Sequence, residues 1–187
     1  VFIEFEGVRQ GADVYVNGQH VGYHENGVMA FGVDLTSYVK KGKNLIAVRV
    51  DNNWQYRERG HKYSRYQWND KNFNANYGGI PKHVKLHLCG KIYQTLPLYS
   101  NLGTTGVYVY ATDMNCAQHS AVVHIESEVR NESGTAEHVI YEAEIFDANG
   151  QSVATMRGTS QEILSGATAT LKVSGKVGDL HFWSHGY

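Results

Sequence analysis

No apolar run in this sequence approaches the roughly 18–20 residues that a membrane-spanning helix needs, so no such helix is expected and no membrane partner. Nor does a basic stretch lead into an apolar one at the amino terminus, the pattern of a secretory leader. Proline and cysteine are both nearly missing, with two residues each. Two cysteines are too few for a disulfide framework, and Cys89 and Cys116 are expected to be free thiols, buried or half-buried. Neither sign of charge is in excess. Seventeen basic against eighteen acidic residues leave a formal net charge of −1. A nucleic-acid partner therefore has no electrostatic footprint and is excluded.

What the chain does have is tyrosine (13 residues) and glycine (20). Over 187 residues this suits one large sandwich or two small all-β domains with many turns. The first residues, Val1-Phe2-Ile3-Glu4-Phe5, read as mid-strand with no initiating Met, so the chain is expected to be a fragment or a processed product.

Val1–Glu6 alternates apolar and polar, as a half-buried strand does. Asp13–Val16 is followed by Asn17-Gly18, a strong hairpin signal because both positions tolerate positive φ, and the return strand is His20–His24. Further strands are expected over Met29–Leu35, over Leu45–Val50 as a central strand, and over His83–Leu88. A short link at Ile92–Pro97 separates a domain over 1–92 from a second over 98–187. The second carries strands at Val107–Thr112, Ser120–Asn131, Glu137–Asp147, Ser152–Thr159 and Thr168–Lys176, a spacing typical of an immunoglobulin-like sandwich.

Few residues look chemical. His83 and His87 share a strand face about 13 Å apart, too far for two ligands of one zinc, and His20 and His24 fail in the same way. The carboxylates at Glu4/Glu6, Glu126/Glu128 and Glu142/Glu144 are i,i+2 pairs on solvated strand faces rather than the facing pair of a glycosidase. Ser100, Ser133 and Ser165 sit in no nucleophile elbow, and Gly78-Gly79 precedes a strand rather than a helix, so it is no phosphate cradle. No catalytic residue, metal site or cofactor is expected. The exception is the segment around residues 53–79, where the periodicity collapses. It holds Trp54, Tyr56, Tyr63, Tyr66, Trp68, Phe73 and Tyr77 among Asn, Asp, Arg and His. Aromatic faces stack on sugar rings while planar polar groups orient hydroxyls; equally, such aromatics form a long loop's own miniature core.

Taken together, several motifs resemble one family. They are the strand before Gly7-Val8, Val14-Tyr15-Val16-Asn17-Gly18 with Gly22 beyond, Phe31, Asp34-Leu35-Thr36, and Gly42-x-Asn44-x-Ile46-Ala47-Val48-x-Val50. Asn76-Tyr77-Gly78-Gly79-Ile80 and Trp183-Ser184 complete the set. The chain resembles the sugar-binding jelly roll and following immunoglobulin-like domain of family 2 glycoside hydrolases, the β-galactosidase and β-glucuronidase relatives. That resemblance implies an all-β fold, a partial jelly-roll sandwich followed by an immunoglobulin-like sandwich. It also implies a non-catalytic part of an enzyme that cleaves O-glycosidic bonds of β-galactoside- or β-glucuronide-like substrates. In such enzymes a separate barrel carries the acid/base and nucleophile glutamates, and one long loop of the jelly roll reaches the active-site rim.

On this chain the rim contacts fall to Trp68, Asp70, Asn72, Asn74, Asn76 and Tyr77. Many relatives have an Asp seven residues before the Gly-Ile isoleucine; Phe73 stands there, with Asp70, Asn72 and Asn74 beside it to compensate. The alternatives are a free-standing carbohydrate-binding module and a purely structural sandwich pair. A jelly roll lacking its first strands should expose apolar residues, so a homo-oligomer is expected. The periplasm or the exterior is favoured over the cytoplasm.

Overall fold

The computed structural model describes residues 1–52 and 78–183, and its chain divides into two compact units, Val1–Leu88 with Leu98–Gly103, and Cys89–Pro97 with Thr104–Tyr187. Both are built from strands.

The first unit has two three-stranded sheets. One has the order β4(Phe31–Asp34)–β1(Phe2–Phe5)–β6(Val84–His87), the other β3(Gln19–Glu25)–β2(Gly11–Val16)–β5(Ile46–Asp51). Alternation aims Ile3 and Phe5 from β1, and Ala12, Val14 and Val16 from β2, into one core with Val8, Phe31, Val33 and Leu35. Phe5 and Phe31 face each other in register and stack with centroids 4.9 Å apart. Each is fully buried, a contribution of about 1.5–3 kcal/mol per side chain. The expected central strand at Leu45–Val50 is a correction: β5 pairs only with β2 among the described residues and is an edge strand. Ile46, Val48 and Val50 alternate toward the core whether a strand has one neighbour or two, so the pattern alone does not distinguish the cases.

The family-like motifs have local physical causes. Asn17 and Gly18 have φ of 50° and 86°, the conformation of a two-residue primed turn, and Val16 pairs with Gln19 across it. The Asn17 side chain donates to Tyr38 O and accepts from Leu45 N, joining the hairpin to the 38–45 turn. Asn44 braces that turn by accepting from Lys40 N and donating to Lys40 O and Gly42 O. Asp34 accepts from both the N–H and the hydroxyl of Thr36 while Leu35 fills the core. Space around Gly18 is open, since among the described residues no atom lies within 4 Å of an added Cβ. Gly18→Val should therefore cost only the backbone strain of a β-branched residue at positive φ, about 1 kcal/mol or more. Thermal melting should show a drop of a few degrees for Val and a smaller one for Gly18→Asn; an unchanged midpoint for Val would contradict the turn.

In the second unit β9(Ser120–Asn131) is central. It pairs with β14(Thr168–Val177) on one edge and with β8(Val107–Asn115) and β7(Ile92–Gln94) in succession on the other. Two ladders, β10(Glu137–Val139) with β13(Gln161–Ile163) and β11(Glu142–Phe146) with β12(Ser152–Arg157), supply the other layer. Ile125, Val173 and Val177 pack against Met156, and Val129 and Leu171 against Ile163. The single strand expected over Glu137–Asp147 is broken at Ile140-Tyr141. Tyr141 packs into both apolar clusters while Ile140 turns outward, so side-chain demand redirects the chain without any Gly or Pro signal. Strand β7 lies within the stretch expected to be a plain link, and β13 was not expected at all. Both are only three residues long, too short to show a period. Cys89 and Cys116 are free but exposed rather than buried, because both sit in connections beyond the ends of β6 and β8.

Candidate functional site

All six residues expected to contact sugar, Trp68, Asp70, Asn72, Asn74, Asn76 and Tyr77, lie outside the described residues, as does Phe73. The two ends of their segment are described. Strand β5 delivers Asp51 and Asn52 to one end, and Gly78 and Gly79 form the other. The Asn52 amide fills the space beside Gly78, where an added Cβ would stand 2.6 Å from its nitrogen. Gly79 exchanges two backbone hydrogen bonds with Arg9 (3.0 and 3.3 Å), and Gln10 N donates to Asp51 O at 3.0 Å. The turn between β1 and β2 thus stitches the two ends together.

Around this base the polar residues are unusually buried. Arg9, Gln10 and Asp13 are each only 3 % exposed. The Gln10 side chain accepts from Gly27 N, and its carbonyl accepts from Asn26 N, tying in the turn after β3. Asp13 stands mid-strand on the β2 face opposite the core. Its carboxylate meets His20 Nε2 at 2.7 Å and Arg49 at 3.8 Å, and the His20 ring lies edge-on to Tyr15. Tyr23, paired across from Asp13, donates to Glu25. A buried, paired carboxylate presents an oriented negative charge, and with Tyr, His and Arg beside it the group can position hydroxyl-rich ligands. Sequence reading passed over Arg9, Gln10, Asp13 and Glu25. The available signal was Asp13 itself, an acid in the middle of a β-branched strand where Asp is disfavoured.

The carboxylate pairs behave as strand-face ladders. Glu4 lies beside Lys85 (3.9 Å) and His87 (2.8 Å), and Glu6 beside Lys85 (2.5 Å) and His83 (3.0 Å), across the β1–β6 register. The Lys85 ammonium, then the His83 ring, hold the Glu6 carboxyl down at about 2. Glu126 is lowered by Lys172. Burial opposes the charge on Glu128, but the Thr95 hydroxyl and the Thr105 N–H outweigh it and keep that carboxyl low as well. Glu142 pairs with Arg157. Among the described residues no group of three or more His, Cys, Asp or Glu could hold a metal ion.

Residues 1–89 match the family model described as the sugar binding domain of family 2 glycosyl hydrolases. The chain belongs to glycoside hydrolase family 2. It is 42% identical over 158 residues to a β-glucuronidase of Formosa agariphila, an alignment covering 82% of this chain and 15% of that protein. A β-galactosidase of Bacteroides ovatus is 31% identical over 160 residues, covering 85% of the chain and 16% of its own length. The solved structure of a family 2 β-glucuronidase superposes with a TM-score of 0.85 at 35% identity, over 97% of this chain and 19% of that one. The family 2 chain therefore spans about a sixth of the length of these relatives.

Proposed function

We propose that this chain is the non-catalytic, sugar-binding part of a family 2 glycoside hydrolase that cleaves β-glucuronide- or β-galactoside-like O-glycosides. It scaffolds a catalytic barrel and lends the 53–79 segment to the rim of that barrel's active site. The observation that carries this reading is 42% identity to a β-glucuronidase across most of the chain, coupled to a share of only 15% of that enzyme. It is supported by the occupied state of the paired carboxylates: Glu4, Glu6 and Glu126 are each matched to a cation, whereas glycosidic hydrolysis needs two carboxyl groups free to serve as acid and nucleophile or base. The stitched base supports it too, because a binding segment is effective when its ends are held on rigid strands.

The test is kinetic. The 187-residue chain by itself should not hydrolyse aryl β-glucuronides or aryl β-galactosides. In the full-length enzyme, Asn74→Ala or Tyr77→Ala should raise KM or lower kcat/KM by about ten-fold, equivalent to about 1.4 kcal/mol. Turnover by the isolated chain in proportion to its concentration would overturn the non-catalytic assignment. Unchanged kcat/KM in both variants would overturn the rim assignment.

A further inference from the structure

The outer face of the second unit carries a feature that the rim segment does not account for. Cross-strand register places Tyr108 beside Glu126 and Lys172, and Tyr110 beside His124 and Ser174, in adjacent rows on β8, β9 and β14. The two tyrosine ring centroids are 5.3 Å apart and the rings are tilted by 32°, so they lean against each other in one aromatic cluster. Tyr110 stacks on the His124 ring at 4.8 Å, nearly parallel, and the His124 Nε2 is fixed by the Thr112 hydroxyl at 2.8 Å. Tyr108 is nonetheless 64% exposed. An aromatic this open, braced from beneath by ordered neighbours, buries nothing for the fold. It presents a flat apolar plane to water.

Two shallow grooves flank the plane and meet at Glu126. One, of about 220 Å³, runs along Tyr110, His124, Lys172 and Ser174; the other, of about 350 Å³, along Tyr108, Glu128, Thr105 and Thr170. The first is below, and the second at the small end of, the roughly 300–1,000 Å³ range of small-molecule sites, and both are partly open to solvent. That shape fits a chain laid across the surface better than a single enclosed molecule. Glu126 is paired with Lys172 at 2.9 Å, whereas Glu128 is held by the neutral Thr95 hydroxyl at 2.7 Å and keeps its negative charge. An anionic partner would be repelled by that carboxylate. Hydroxyls and carboxylate oxygens beside an aromatic plane suit a ligand with one apolar face and an equatorial belt of hydroxyls.

We propose that the Tyr108–Tyr110 face of the β8–β9–β14 sheet is a second carbohydrate-contact surface, which takes a neutral, extended β-linked oligosaccharide by stacking on the two tyrosines. The site is built from other residues than 53–77, and the proposal does not depend on any catalytic assignment. In a full-length enzyme it would hold a polymeric or branched substrate away from the bond being cleaved.

The test is an amide-resolved NMR titration of the 187-residue chain with cellotetraose and β-1,4-galactotetraose, with trigalacturonate as the charged control. At least one neutral probe should move amide signals in 107–112, 122–128 and 170–174 saturably. Tyr108→Ala should weaken that binding about ten-fold while leaving other signals in place, since the ring is mostly in water, and Tyr108→Trp should retain it. No shifts at millimolar neutral probe, shifts confined to residues 1–88, equal shifts with trigalacturonate, or undiminished binding in Tyr108→Ala would each overturn the proposal.

Discussion

At rising concentration the chain should self-associate and bind a hydrophobic dye, and Leu86→Glu should abolish both without lowering the melting temperature. The argument rests on register. Leu86 lies directly opposite Ile3, and Val84 opposite Phe5, so all four side chains point to the same side of the sheet. Ile3 and Phe5 are almost fully buried, yet Leu86 is 55% exposed, Val84 45% and the following Leu88 76%. On the other sheet Ile46 continues the row of Val14 and Val16 and is itself part-exposed, with Leu45 before it at 70%. Both rows sit on strands whose second edge is unpaired among the described residues. A contiguous apolar stripe beside open strand edges is a template for another strand, and a second copy of the chain is the occupant most available to a purified sample. Leu86→Glu places a charge where the partner must land but removes little buried area, so association should weaken by more than ten-fold while folding is spared. Sedimentation at several concentrations reads the result. A monomer at every concentration, or an equally associated Leu86→Glu protein, would remove this surface from consideration.

Mild acid should loosen the first unit through His24. This ring is 8% exposed and stacks on Phe31 at 4.3 Å, on the side away from Phe5. Asn101, from the irregular turn Tyr99–Leu102, donates through Nδ2 to Tyr23 O at 2.8 Å, so its Oδ1 is left to accept from His24 Nδ1 at 3.2 Å. Leu98 and Leu102 complete the clasp by packing on Gly32, where an added Cβ would stand 2.7–2.8 Å from them. Among the described residues, Nε2 of His24 is buried without a hydrogen-bond partner. Burial pushes the His24 pKa below 6.5, against the opposing pull of Asn101, the Asn26 backbone and the Glu25 charge. The sign follows directly: the unfolded chain takes up this proton first. Stability is complete above about pH 6.5 and declines below it, by at most about 1.4 kcal/mol per pH unit until the folded ring itself titrates. His24→Gln, which can still donate to Asn101, should flatten that part of the profile. Asn101→Ala should cost roughly 1–3 kcal/mol by removing the hydrogen bonds that Asn101 makes to Tyr23 O and His24 Nδ1. Denaturation midpoints between pH 5 and 8 check both; parallel profiles for wild type and His24→Gln would rule the histidine out.

Strands with a clean period were legible in the sequence. Ser120–Asn131 is the expected strand to the residue, and the Asn17-Gly18 turn follows from the φ those two residues accept. Neighbours were harder to read. Ile46, Val48 and Val50 look alike in an edge or a central strand, and Tyr141 breaks a strand because of what it packs against at long range. The clasp was invisible for a related reason. Nothing near Asn101 in sequence announces His24, and the pair exists only because β3 and β4 create a groove floored by Gly32. At the candidate site, the aromatic-rich composition marked the segment around 53–79, while its base joins the buried polar residues of 9–13 to 51–52 and 78–79, three separate fragments of sequence that only the fold brings together.

That base bears on how such a chain diversifies. Closing a loop costs free energy that grows only with the logarithm of its length, about 0.6 kcal/mol for each doubling. Asp51 is fastened to Gln10 and Gly79 to Arg9 by main-chain bonds, and Gly78 fits against Asn52; each of these contacts is between residues outside 53–77. These contacts are made by the backbone and by residues flanking the segment, so they do not require particular side chains within it. A segment of different length or composition can be grafted between Asn52 and Gly78 at small thermodynamic penalty, so the same pair of sheets can serve as a socket for exchangeable specificity while the core of Phe5, Phe31 and Val14 stays as it is.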